Sequence, residues 1–107
     1  MAETLKKGFW GLVMRHDLID GLRRLIVEDL FVEIPPEQIG LDDGLRTVVG
    51  LDSVGFAELR VRCESRFDVQ IDDEDYTPEN FSSIHRLADL IDRLQKARRM
   101  AAAPAEQ

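Results

Sequence analysis

Gly50-Leu51-Asp52-Ser53-Val54-Gly55-Phe56-Ala57-Glu58-Leu59 opens a helical pattern on an aspartate followed at once by a hydroxyl. Phe56, Leu59, Cys63 and Phe67 recur at spacings of three and four, which places them on one face of a helix from about Ser53 to Phe67. Val54, Glu58 and Val61 fall on a different face. Serine at a helix start is most often an N-cap, so an Asp-Ser pair alone says little. The same position leaves amides without intrahelical partners and carries the positive end of the helix dipole, so an anion mounted on the hydroxyl is favoured there.

Upstream, Leu18, Leu22, Leu25, Ile26 and Leu30 predict a first helix from near Asp17 to about Phe31, with Asp17 as its cap and Asp20 suited to its positive end. Pro35-Pro36 ends it, since proline lacks the amide hydrogen and biases the preceding residue toward extended geometry. A long loop over residues 33–51 follows, laying Ile34, Ile39, Leu41, Leu45, Val48 and Val49 on the core one at a time. Loops of this length are uncommon unless functional or well anchored.

Downstream, the acidic run Asp72-Asp73-Glu74-Asp75 leads to Thr77-Pro78, a cap and first helical position for a short helical turn. The run lacks the glycine and final glutamate spacing of a calcium loop, so it is a second contact or a solvated loop. Ser82 or Ser83 caps a last helix whose apolar face is Ile84, Leu87, Leu90, Ile91 and Leu94. Three long helices plus a short one predict an all-α four-helix bundle. Residues 1–16 form a leader, either an extra helix or a contact with another protein. Residues 17–97 form the domain, and residues 98–107 a frayed tail.

The chain has 107 residues, enough for one domain with its own core. A formal net charge of -7 disfavours nucleic acid, which needs a concentrated basic surface. The apolar run from Phe9 to Met14 is too short to span a bilayer. With Cys63 as its only cysteine and no signal segment, the chain is expected in the cytoplasm. His16, His85 and Cys63 lack paired ligand spacing, so no metal site is expected. No nucleophile, base and orienting group come together, and Leu51 stands where a nucleophile elbow needs glycine, so the chain is expected not to be an enzyme.

With these elements placed, the chain resembles the acyl carrier proteins and the related peptidyl carrier proteins of modular biosynthesis. Their attachment motif is Asp-Ser-Leu, preceded at short range by glycine and followed by an acidic and apolar helix. Gly50, Asp52, Ser53 and Glu58 fit it, with Val54 in place of leucine. Leu59, Cys63 and Phe67 fall where family core residues fall, and Thr77-Pro78 through Phe81, then Ser83-Ile84, resemble the short third helix and the start of the fourth. The resemblance spans roughly residues 17–95 and implies a bundle of the acyl-carrier-protein type with the long loop between helices 1 and 2.

It also implies a discrete acyl carrier. Ser53 would accept 4′-phosphopantetheine from coenzyme A through a phosphopantetheinyl transferase, and the arm's thiol would hold intermediates as thioesters for separate loading and accepting enzymes. Asp52 would engage the transferase and its magnesium-bound substrate, or merely cap the helix. Val54, Glu58 and Val61 would meet partners, with Glu64 a further acidic point; solvated surface is the alternative for each. Cys63, on the core face, is not the working thiol. Arg60, Arg62 and Arg66 depart from the strongly acidic second helix of fatty-acid carriers, which points toward polyketide or other secondary metabolism. A monomer is expected. An unmodified helical interaction domain, an aminoacyl or peptidyl carrier, and a small hydrolase or transferase using Ser53 directly stay open as alternatives.

Overall fold

The computed structural model describes residues 16–102. Helix α1 occupies residues 16–29, and its final turn, Leu25–Asp29, is wound as a π-helix. Its apolar stripe is buried as the spacing requires: Leu18, Leu22, Leu25 and Ile26 all lie in the core. His16 is already helical, so Asp17 sits inside the helix and does not cap it. The helix also stops short of Phe31. There the backbone turns left-handed, with φ 57, and the Val32 amide donates to the Val27 carbonyl at 3.2 Å to close the last turn. The predicted leader, apart from His16, lies outside the described residues.

Helix α2 spans Ser53–Phe67, as the periodicity predicts. It ends on Asp68, left-handed at φ 56, behind which the Val69 amide donates to the Glu64 carbonyl at 3.3 Å. Aspartate is among the residues that tolerate this conformation. Leu59 and Cys63 are fully buried, whereas Phe56 and Phe67 are half-buried against the core.

Helix α3 spans Ile84–Ala102. Of the two candidate caps Ser83 serves, its hydroxyl accepting the Arg86 amide at 3.2 Å. Ile84, Leu87, Ala88, Leu90 and Ile91 have no exposed surface, and Leu94 packs half-buried at the edge. The helix continues past residue 97, through the first part of the stretch expected to fray; residues 103–107 lie outside the described residues.

The short helix expected after Thr77-Pro78 is a single turn, so the described residues hold three helices and no strand, not a confirmed four-helix bundle. Thr77 does cap the turn: its hydroxyl accepts the Asn80 amide and its carbonyl the Phe81 amide, both at 3.1 Å. Propagation then fails for a local and a distant reason. The Ser82 amide and hydroxyl both fold back on the Glu79 carbonyl, at 3.3 and 2.8 Å, and the Ser82 carbonyl accepts the Leu45 amide at 2.9 Å.

That last bond belongs to the long loop between α1 and α2, which is fastened at both sides. Arg23 on α1 donates to the Ile39 carbonyl at 2.9 Å, and the His85 amide at the start of α3 donates to the Leu41 carbonyl at 2.9 Å. Ile39, Leu45 and Leu51 are buried, Ile34 and Val49 are half-buried, and Leu41 and Val48 are exposed. The loop therefore acts as a wall of the core, and its last buried residue, Leu51, fixes where α2 begins.

Candidate functional site

The loop delivers the chain to α2 through Gly50, whose φ of 91 lies in the region that glycine enters without steric cost. Asp52 is extended (φ -100, ψ -173), and its Oδ1 accepts the Gly55 amide at 2.8 Å. It is therefore the N-cap, and Ser53 is the first helical residue. The commonest structural reason for serine at a helix start is thereby taken by its neighbour. Ser53 is exposed, and its hydroxyl makes no hydrogen bond to another described residue.

The other residues singled out by sequence divide into surface and scaffold. Val54 is 73% exposed and Val61 57%, both on the solvent side of α2. Glu58 pairs with Arg62 at 3.0 Å along the helix, so the two charges offset one another. Glu64, expected as either a recognition point or a solvated charge, is half-buried and its Oε2 accepts the Ile71 amide at 2.8 Å. Arg60 is equally committed: it donates to the Ile71 carbonyl from Nε and Nη2, pairs with Asp73 at 3.0 Å, and lies 4.8 Å over the Tyr76 ring.

Two hollows flank Ser53. One, of about 520 Å³, runs from Ser53 past Phe56 to Tyr76 and Phe81, with Arg46 on its rim at 5.2 Å from the Phe56 ring. The other, of about 710 Å³, lies between the end of α1 and the start of α2, with Phe31 and Val54 on its walls. The sequence pattern left Arg46 without a role and placed Phe31 only as the end of the first helix. Arg46 sits in a loop without periodicity, and Phe31 is an apolar residue at the end of an apolar stripe, with no glycine to signal the left-handed turn it makes.

Cys63 is buried, and removal from water, with the nearby Glu64 carboxylate as a smaller cause, pushes its thiol up from about 9.0 to about 12. It is inert as a nucleophile near neutral pH.

Ser53 thus presents an exposed hydroxyl, with no hydrogen-bond partner among the described residues, on the first residue of a helix, where unpaired amides and the helix dipole favour an anion. Residues 20–91 match the family model described as phosphopantetheine attachment site, and the chain belongs to that family. Comparison with curated proteins gives no match. Members carry covalently attached 4′-phosphopantetheine and are modified by phosphopantetheinyl transferases. The residues present fit the group: the Ser53 hydroxyl is exposed and has no partner among the described residues, the Asp52 carboxylate is drawn aside onto Gly55, and the space beside Gly50 is open. No described helix is long and apolar enough to cross a membrane.

Proposed function

We propose that Ser53 is the attachment point and that the chain carries acyl intermediates for separate biosynthetic enzymes without catalysing their chemistry. The observation that carries this is the exposed Ser53 hydroxyl, without a partner among the described residues, standing behind a cap supplied by Asp52. In the transfer, Ser53 Oγ bonds to the phosphorus that bears pantetheine as the pyrophosphate of coenzyme A breaks; adenosine 3′,5′-bisphosphate leaves, and the hydroxyl proton passes to the transferase. Asp52 engages that enzyme through its second carboxylate oxygen, which has no partner among the described residues. The amides left without intrahelical partners at the start of α2 would favour the phosphodiester's negative charge. When bound, the arm supplies a terminal thiol that holds cargo as a thioester, a task for which buried Cys63 is unsuited.

Val54, Glu58 and Val61 form the face that partner enzymes meet. Because Arg62 offsets Glu58 and two valines stand exposed, this face is mixed and partly apolar, which favours polyketide or another secondary pathway over bulk fatty-acid synthesis. A cytoplasmic monomer fits the free thiol and the acidic surface.

Co-expression with a broad-specificity phosphopantetheinyl transferase, followed by intact mass, tests the assignment. The expected result is a gain of one phosphopantetheine that disappears in Ser53→Ala. No gain under conditions that convert a control carrier would sink it.

A further inference from the structure

Phe31 is placed against its own preferences. It occupies the left-handed position after α1, φ 57, where the Val32-to-Val27 hydrogen bond closes the helix and where glycine is the residue of choice. Its ring is 86% exposed and stacks on no described aromatic or guanidinium group. Backbone and solvation both disfavour a large apolar side chain here, and no contact within the described chain offsets them. A left-handed bulky residue held at the surface is the kind of strain that accompanies binding sites.

Phe31 stands over the hollow of about 710 Å³ that reaches the start of α2. Leu30, Val49 and Val54 continue its apolar wall, while Asp29, Glu33 and Asp52 give an acidic rim. Among the described residues the one lining arginine, Arg62, is already held by Glu58 at 3.0 Å. The hollow is thus shaped for an apolar side chain ringed by Lys or Arg.

We propose that this hollow docks the phosphopantetheinyl transferase, with Phe31 as its anchor. The inference rests on the assignment of Ser53 as the modified residue. Asp52 and Val54, on either side of Ser53 in the chain, both line this hollow, and Ser53 itself lines the hollow beside it, so an enzyme seated over the serine reaches the edge of both. An enzyme that binds polyanionic coenzyme A also gathers basic charge around its active site, which the acidic rim complements.

The test is steady-state transfer from coenzyme A by a broad-specificity phosphopantetheinyl transferase, with thermal unfolding of each apo variant measured alongside. Phe31→Gly removes the ring and relieves the backbone. It is expected to melt at or above the wild-type temperature while the KM for the carrier rises about fivefold or more at unchanged kcat, the loss of one apolar interface contact. Glu33→Lys is expected to raise KM as well, by a factor that shrinks with added salt. If wild type is converted but Phe31→Gly keeps its KM, the docking site is wrong while the attachment assignment stands. If Phe31→Gly melts lower, the ring serves the fold and the proposal is overturned. If wild type itself is never converted, the attachment assignment fails and takes this proposal with it.

Discussion

Asp52 and Ser53 are adjacent, and both are good helix caps, so spacing alone leaves open which one caps and which is free. The backbone decides. Extended geometry at Asp52 lets its carboxylate reach Gly55, and Ser53 is left one step inside the helix with no partner among the described residues. Capping and recognition by Asp52 can therefore be separated by substitution. Asparagine caps as well as aspartate but carries no charge. Asp52→Asn is expected to unfold within about 0.5 kcal/mol of wild type, and Asp52→Ala to lose about 1 kcal/mol. Denaturant titration measures both. Conversion by the transferase is expected to slow in both variants, including the asparagine variant that keeps its stability. Conversion that tracks stability alone would reduce Asp52 to a cap.

Each element's core face was legible because its apolar period is regular, and the ends were less so because they depend on particular bonds. The start and end of α2 agree with the pattern, whereas α1 ends early on a left-handed phenylalanine that no turn residue announces. The segment after Thr77 has correct cap chemistry, yet a bond from distant Leu45 helps to stop it. The arginines of α2 were legible as a departure from an acidic helix, but their tasks were not. Arg60 reaches residues 11 and 13 positions away, a pairing that no local spacing encodes. It ties α2 to the loop leading toward α3, and this sets a prediction. Arg60→Ala is expected to cost about 1–3 kcal/mol, from hydrogen bonds to a charged donor and the stacking on Tyr76. Arg60→Lys should recover only part, since an ammonium cannot make the fork. Hydrogen exchange should quicken at Asp75 and Tyr76, whose amides bond within the loop that Arg60 holds.

At the scale of the whole molecule, the connection between α1 and α2 sets where Ser53 stands. Its isolated apolar residues signalled that it lies on the core; which of them are inserted depends on bonds to α1 and α3 that the sequence does not display. Leu45 is the central case. It is fully buried, its amide donates to the Ser82 carbonyl, and its carbonyl accepts the Leu51 amide at 2.9 Å. One residue thus joins the loop to the segment before α3 and to the residue that starts α2. Val48, three positions on, is 56% exposed. If the loop is part of the core, Leu45→Ala should destabilise by about 2–5 kcal/mol, while Val48→Ala should stay within about 0.5 kcal/mol. In thermal unfolding this separates the two by roughly 10 °C or more. Conversion of Ser53 by the transferase, assayed well below both midpoints, should be close to wild type for Val48→Ala and slower for Leu45→Ala, because loosening Leu45 releases Leu51 and with it the approach to the helix start. Equal melting temperatures for the two variants would mean that the loop is draped over the core without being part of it, and that the position of Ser53 is set by α2 alone.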